Sequence, residues 1–524
     1  MRSVYKSAEQ TLIWLGEDDG TVSIAEELAT AIVRKIMRFD QPRREEQNAQ
    51  AVKSVRQEIS DHLRDMNSPG NLVSHLADLP TLGSRHWNAL ARFLSRPWFR
   101  RVWVIQEVAV SHRATVYCGD HEMDWNVVKF AAAWIARNGI LAQTGEDGFR
   151  WADNVTLMFR FANPTAMTKI NPNPSPLLWL IRDFEASDAR DKVFDSLPLM
   201  FNDDVGRALP KDLVPDYRKS PESVYRDVAR YIIQADRNLK NLTSLPVLRA
   251  FALWVPRWEY GFSLGNSGPL GLFPDAPEGV RPLYRASGRL PLQEVTLRRP
   301  KQPDTLRVRG LRLDRVTSIS ESIWANFVDI DFPPHPTRGS LVHSDKNPLW
   351  QTWNAYQHEL LSYPSGEDHM TVLRLLLVAN RTRIKQRADE DHMSEADFVA
   401  YLRVIGWNMD SLPAAYKKRQ IELGAEGDAH RYSRDLVHSC TSRSVFGTSL
   451  GYLRLCNVDV HVGDYVCMLF GGKVLYTLRP REKTLHSGQT WRFLGEAYLH
   501  GHMDGSALSM KRACTEPAEI FDLH

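Results

Sequence analysis

Cysteine is scarce in this chain of 524 residues, which contains five cysteines and no C-x-x-C pair. The odd number and the scattered spacing argue against a disulfide framework and against a cysteine zinc site. The first residues also lack the apolar core of a secretory signal peptide. We therefore expect a cytoplasmic protein in a reducing compartment, with no bound metal.

The sequence also lacks long apolar segments, phosphate-binding glycine motifs and an excess of one charge. The apolar runs are far too short to cross a bilayer, so we expect no membrane span. Neither a Walker A sequence nor G-x-G-x-x-G occurs, and nothing predicts a bound nucleotide cofactor. Lys and Arg together number 66 against 63 for Asp and Glu, a formal net charge of +3. That balance predicts no nucleic-acid partner.

The composition that is present is typical of a globular protein, with 43% apolar residues, 25% charged residues and 15 tryptophans. The length and the changes in pattern predict an α+β chain of several domains. We expect an α/β region, a mainly helical middle region, a mixed α/β region and a β-rich C-terminal region. The predicted boundaries are 1–135, 136–295, 296–435 and 436–524.

Several short patterns predict individual elements. Alternating apolar residues predict strands at Thr11–Leu15 and Ala114–Cys118, and residues 24–66 have a charged helical pattern. Ser220-Pro221-Glu222 combines an N-cap residue, a proline at the first helical position and an acid in the first turn. Two apolar strands that flank Gly471-Gly472 predict a hairpin.

The strongest local signal is the segment Arg96–Glu107, which contains two tryptophans five positions apart, several arginines and a Gln-Glu pair. One interpretation is a buried aromatic helix in which arginine stacks on tryptophan. The other is a pocket in which Glu107 is a partly buried carboxylate. In that pocket Trp98 or Trp103 supplies a stacking face for a planar ring.

Three further motifs favour structural interpretations. Gly447-Thr448-Ser449-Leu450-Gly451 fits G-x-S-x-G, but a strand pattern follows it, so we predict a hairpin turn and no serine hydrolase. His500-Gly501-His502 lacks a third ligand nearby and predicts a turn with exposed histidines. Asp188–Lys192 mixes charges at a helix start and predicts a salt-bridged cap, with a binding surface as the alternative.

These segments, taken in order, resemble blocks of the fungal heterokaryon incompatibility (HET) domain and the regions that follow it. Tyr5 and Ala8 with Ile13–Gly16 resemble its middle block, and Arg96–Glu107 resembles its closing block. Later segments are similar to shared stretches of long family members: Asp188–Phe194, Pro215–Tyr217, Leu253–Trp258, Gly463–Gly472 and Gly495–Gly501. The family's opening blocks, around Ser-Tyr-x-Trp-Gly and Trp-Ile-Asp, are not found, so we expect a partial HET domain.

The resemblance implies a role in fungal non-self recognition and programmed cell death through protein interaction. The resemblance leaves the protein partner unidentified, with another incompatibility protein as one candidate, and it is also compatible with a homo-oligomer. The HET domain is considered similar to the TIR fold, and some TIR domains cleave NAD with a glutamate on a helix. The alternative is therefore an NAD glycohydrolase in which Glu107 is catalytic and NAD is a substrate. Because the absent opening blocks would supply part of the sheet and of the pocket, the sequence favours the interaction role over catalysis. The binding residues would be Trp14, Trp98, Arg101, Trp103 and Gln106.

Overall fold

The computed structural model divides the chain into two compact units, Met1–Pro215 and Asp216–His524. The structure describes residues 2–46, 76, 78–111, 113–138, 140, 144, 147–161, 174–201, 208–244, 254–259, 269–272, 281–288, 290–293, 305–320, 348–382, 386–407, 422, 426–440, 443–457, 459–481, 489–509 and 517–524. Helices and strands together confirm the α+β class. The four finer domain ranges stay predictions.

A three-stranded sheet lies in the first unit, in the order β1 (Thr11–Trp14), β2 (Ala114–Cys118) and β3 (His121–Asp124). β1 and β2 are parallel, and β2 and β3 are antiparallel. The predicted strand at Ala114–Cys118 is confirmed, and the one at Thr11–Leu15 ends one residue earlier than expected.

Helices make up most of the remaining described secondary structure of the first unit. Residues 24–66 were expected to be helical, and α2 covers the part up to residue 46, while 47–66 lie outside the described residues. The described α-helices of this unit are α1 (Arg2–Ser7), α2 (Val22–Glu46), α3 (Arg85–Leu94), α4 (Val104–Ala109), α5 (Trp125–Asn138), α6 (Ala152–Phe161), α7 (Pro174–Leu180), α8 (Asp191–Phe194) and α9 (Leu197–Met200).

One face of the sheet is covered and the other carries exposed apolar side chains. Ile13, Val116 and Met123 are paired across the three strands and are each less than 5% exposed. Because successive strand residues point to opposite faces, Leu12 and Trp14 lie on the other side. Their side chains are 65% and 55% exposed.

The second unit contains a seven-stranded sheet that closes on itself. Its order is β10-β4-β5-β6-β9-β8-β7, and an additional β4–β7 pairing joins the two sides of a barrel. The strands are β4 (Leu306–Ile319), β5 (Arg443–Thr448), β6 (Leu453–Asn457), β7 (Tyr465–Leu469), β8 (Leu475–Pro480), β9 (Thr490–Leu499) and β10 (Glu519–Leu523). This arrangement confirms the β-rich C-terminal region.

The described α-helices of the second unit are α10 (Pro221–Asp236), α11 (Pro348–Leu361), α12 (His369–Leu377), α13 (Ser394–Val404) and α14 (Ala429–Cys440). The start of α10 is as predicted, because Ser220 is its N-cap and Pro221 its first residue. The predicted hairpin forms between β7 and β8. β5 and β6 also pair as a hairpin around Ser449, with no helix after the serine, which confirms the predicted turn.

No helix in the described part of the chain combines the length and apolar character that a membrane crossing needs.

Candidate functional site

The segment from Arg96 to Ala109 is held at the end of β1 and against a distant loop. Arg96 donates from its Nη1 to the carbonyl oxygens of Leu15 and Glu17, at 3.1 and 2.9 Å. Pro97 opens a short 3-10 helix that ends at Arg100, and α4 follows. The Val102 amide donates to the Glu185 carbonyl at 2.9 Å. The backbone of the segment is therefore fixed on both sides.

Glu107 lies on α4 and is half-buried beneath an indole. The Trp98 Nε1–H donates to Glu107 Oε2 at 3.2 Å. Trp98 is itself 8% exposed and packs edge-to-face against Trp125, with 5.7 Å between ring centroids. Burial raises the pKa of Glu107, while the Trp98 hydrogen bond and the positive charge of Arg101 act in the opposite direction.

A cavity of about 340 Å³ opens beside this carboxylate. Its lining residues are Tyr5 from α1, Arg101, Trp103, Gln106 and Glu107. The arrangement places one carboxylate, one guanidinium, one amide and two aromatic rings around a single space. Such a set suits a planar ring that carries an anionic group, since arginine pairs with phosphate or carboxylate.

Four of the six residues predicted for the site line this cavity: Arg101, Trp103, Gln106 and Glu107. Trp98 does not line the cavity but holds Glu107 through its N–H. Trp14 is on the exposed face of β1 and is not a lining residue.

A buried layer of two aspartates supports the cavity wall. The Trp103 Nε1–H donates to Asp191 Oδ2 at 3.2 Å. Gln106 Nε2 lies 2.6 Å from both the carbonyl oxygen and Oδ1 of Asp195. Burial raises the pKa of Asp195 to about 8, opposed by the Gln106 hydrogen bond and reinforced by the charges of Asp191 and Glu107.

Three residues of the site, Asp191, Asp195 and Tyr5, were not predicted from the sequence. Asp195 lies 89 positions from Gln106 in the chain, and only the fold brings them together. The four-residue spacing of Asp191 and Asp195, which places both on one side of a helical turn, was the available signal. Tyr5 was noted only as part of a sequence block. Burial and the Glu107 charge raise its pKa, and Arg101 lowers it.

The prediction of exposed histidines near residue 500 is wrong for His500. Its ring is 3% exposed because Nε2 lies 2.9 Å from Glu367 Oε2 and Nδ1 lies 3.0 Å from the Tyr498 hydroxyl. His502 is half-buried, with Nδ1 3.2 Å from Ser506 Oγ. In the residues that the structure describes, no group of three or more His, Cys, Asp or Glu side chains could hold a metal ion.

The predicted salt bridge at the start of α8 is present, since Arg190 Nη2 lies 2.5 Å from Asp188 Oδ2. This pair lies just before Asp191, the residue that holds Trp103. The opposite charges at the start of this helix therefore pair with each other.

Two parts of the chain match models of known protein families. Residues 1–107 match the model of the heterokaryon incompatibility protein (HET) family, and residues 341–514 match the Het-6 beta-barrel domain. The HET match contains every residue that lines the cavity.

The full chain is also similar to a curated fungal protein. It is 21% identical to heterokaryon incompatibility protein 6, OR allele, of Neurospora crassa, over 96% of this chain and 78% of that protein. No solved structure matches the chain. The chain therefore contains a HET-domain region and, in its second unit, a Het-6 barrel region, and it is similar to a fungal heterokaryon incompatibility protein over most of its length.

Proposed function

We propose that this chain acts in fungal non-self recognition and cell-death signalling through contacts with another protein. The observation that carries the proposal is the similarity to an incompatibility protein over 96% of the chain. That similarity spans both the HET match and the barrel match.

The exposed face of the small sheet supports a role in protein contact. Leu12 and Trp14 expose 65% and 55% of their surface, two positions apart on β1. Among the described residues β1 pairs with β2 alone, so its other edge offers free backbone hydrogen-bonding groups. Large exposed apolar side chains beside an open strand edge are typical of a surface that binds another chain.

The test is cell death after fusion. A strain that expresses the chain is fused with isolates of different incompatibility types, and dead fusion cells are counted with a vital dye. We expect death with some isolates when the chain is present and none when it is absent. The double variant Leu12→Ser with Trp14→Ser should lower the count at an equal protein level.

Val462→Ser is the matched control, because Val462 is 64% exposed in the second unit. If the control lowered the number of dead fusion cells as much as the double variant does, the exposed sheet face would have no specific role in recognition. Absence of death with every isolate, at normal protein levels, would overturn the recognition role.

The cavity favours a second candidate function, cleavage of NAD between nicotinamide and ribose. A half-buried carboxylate, an exposed guanidinium and two aromatic rings line one space of about 340 Å³. As the bond to nicotinamide breaks, positive charge develops on the ribose, which the Glu107 carboxylate would stabilise; water then adds to the anomeric carbon and a proton is released. Nicotinamide leaves as a neutral ring, so the reaction needs no general acid.

Nicotinamide release from NAD by the purified chain tests this candidate. We expect release by the wild type and loss of release in Glu107→Gln, which keeps the size of the side chain and removes its charge. Glu9→Gln is the control, because Glu9 is exposed and lies outside the cavity. Equal release by Glu107→Gln and the wild type, or no release by either, would overturn it.

A further inference from the structure

The open edge of β1 presents the backbone of the same two residues whose side chains are exposed. The amides of Thr11 and Leu15 donate to carbonyl oxygens on the β2 side, at 2.8 and 2.9 Å. Because successive residues of a strand direct their backbone groups to opposite edges, the N–H and C=O groups of Leu12 and Trp14 point away from β2. Among the described residues no strand pairs with that edge. It therefore offers two donors and two acceptors in a row.

The side chains of Leu12 and Trp14 add an apolar surface beside this edge. They are two positions apart, so both lie on one face of the sheet, and both are exposed. A strand added to the edge would place every second side chain next to them, and such cross-strand apolar pairs stabilise a sheet. The segment that fits is therefore extended and carries apolar residues at alternate positions.

The two ends of β1 carry negative charge. Glu9 lies just before the strand and Glu17 just after it, and both are exposed. Neither forms an ion pair within the described part of the chain. A second copy of the chain is a poor fit, because antiparallel pairing of Leu12 with Trp14 of the other copy would also set Glu9 opposite Glu17. Like charges directly opposite each other destabilise a strand pair, whereas basic residues at the ends of the added segment would complement the acids.

We propose that the open edge of β1 binds an extended segment of another protein, with alternating apolar residues at its centre and Lys or Arg at both ends. The inference rests on the proposed role in recognition through protein contact and names the kind of segment that is recognised. The backbone of the segment bonds to Leu12 and Trp14, and its apolar side chains cover theirs. Its basic ends lie near Glu9 and Glu17.

Three labelled peptides test the proposal with the full wild-type chain, by fluorescence anisotropy at low salt. The first is Lys-Thr-Thr-Val-Thr-Val-Thr-Thr-Lys, and the second has glutamate in place of both lysines. The third is the lysine peptide N-methylated at its central Val-Thr-Val, which removes backbone donors on both of its edges. We expect the lysine peptide to bind at least about tenfold more tightly than the glutamate peptide, and the methylated peptide not to bind.

Variants of the chain locate the binding site. Leu12→Ala removes a side chain, and Leu12→Pro also removes the N–H at the open edge, where proline is tolerated. Leu12→Pro should therefore bind the lysine peptide more weakly than Leu12→Ala does. Leu361→Ala is the matched control, because Leu361 is 64% exposed but ends a helix. The double variant Glu9→Gln with Glu17→Gln should bring the affinities for the lysine and glutamate peptides together.

The outcomes separate this inference from the proposed function. Equal binding of the methylated and unmethylated peptides, equal binding of the lysine and glutamate peptides, or binding of none overturns strand addition. Self-association of the chain that Leu12→Pro abolishes would assign the edge to a second copy and also overturns it. Fusion-dependent death without peptide binding leaves the recognition role intact. Peptide binding by a chain that causes no death with any isolate overturns the recognition role alone.

Discussion

Trp98 donates its indole N–H to the carboxylate of Glu107, over an Nε1–Oε2 distance of 3.2 Å. Trp98 is in turn fixed by edge contacts with Phe99 and Trp125, at 5.3 and 5.7 Å between ring centroids. The carboxylate that lines the cavity therefore has a defined position. Its ionisation is a balance between burial, which raises its pKa, and the indole donor, which lowers it.

Trp98→Phe should shift the pH dependence of nicotinamide release to higher pH. Phenylalanine keeps most of the packing but removes the N–H that stabilises the charged carboxylate, so the pKa of Glu107 should rise further. Because the ionised form is needed, release at acidic pH should fall first. The measurement is the rate of release from pH 4 to 8. Identical profiles for wild type and variant would show that the indole does not tune Glu107.

Asp195→Asn should remove a pH dependence from the stability of the first unit. The native carboxyl holds its proton up to about pH 8, whereas an unfolded aspartate loses it near pH 4. Between these values the native state binds the extra proton, so stability falls by about 1.4 kcal/mol per pH unit as pH rises. The asparagine variant should not show this fall.

Urea unfolding at pH 5 to 8, followed by tryptophan fluorescence, measures the difference. With each rise in pH, the free energy of unfolding of the wild type should fall relative to that of Asp195→Asn. Asp120→Asn serves as a control, since Asp120 is exposed at the turn between β2 and β3. If the free energy of unfolding changed with pH equally in the wild type and in Asp195→Asn, Asp195 would not be protonated in the folded protein.

Inside the barrel, Asp314→Ala should destabilise the second unit by about 3–5 kcal/mol, because it leaves a buried charge without its counter-ion. Arg454 Nη2 lies 3.4 Å from Asp314 Oδ2, and both side chains are 0% exposed. Ser449 Oγ donates to Asp314 Oδ1 at 2.6 Å. The double variant Asp314→Ala with Arg454→Met should recover much of the loss. Thermal unfolding of the wild type, the single variants Asp314→Ala and Arg454→Met, and the double variant gives the coupling, and additive losses would contradict it.

Glu367→Gln should weaken the barrel at neutral pH and have little effect in strong acid. The hydrogen bond from His500 lowers the pKa of Glu367 to about 2, below its unfolded value. The stabilisation is therefore present above about pH 4.5 and is lost as pH falls towards 2. Acid unfolding of wild type and variant tests this, with exposed Glu426→Gln as the control. A stability difference that does not change with pH would show that the contact with His500 does not lower the pKa of Glu367.

Elements that depend on local pattern were predictable from the sequence. Alternation located β1 and β2, and Ser220-Pro221 marked the start of α10. Four cavity residues were also predicted together, because Arg101, Trp103, Gln106 and Glu107 lie close together in the sequence, on α4 and just before it.

Contacts between distant positions were not predictable. Asp195 meets Gln106 across 89 positions, and Glu367 meets His500 across 133. The His500 prediction failed for this reason, since a sequence of small and polar residues gives no sign of a carboxylate that buries the ring. Barrel closure through the β4–β7 pairing likewise depends on strands far apart in the chain.

The fusion assay with Glu107→Gln tests most directly whether recognition through protein contact is the chain's main role. Cell death and cellular NAD are measured together for wild type, Glu107→Gln and the Leu12→Ser, Trp14→Ser double variant, at equal protein levels. The account predicts that Glu107→Gln still kills and the double variant does not. Loss of both killing and NAD depletion in Glu107→Gln, with full killing by the double variant, would contradict it.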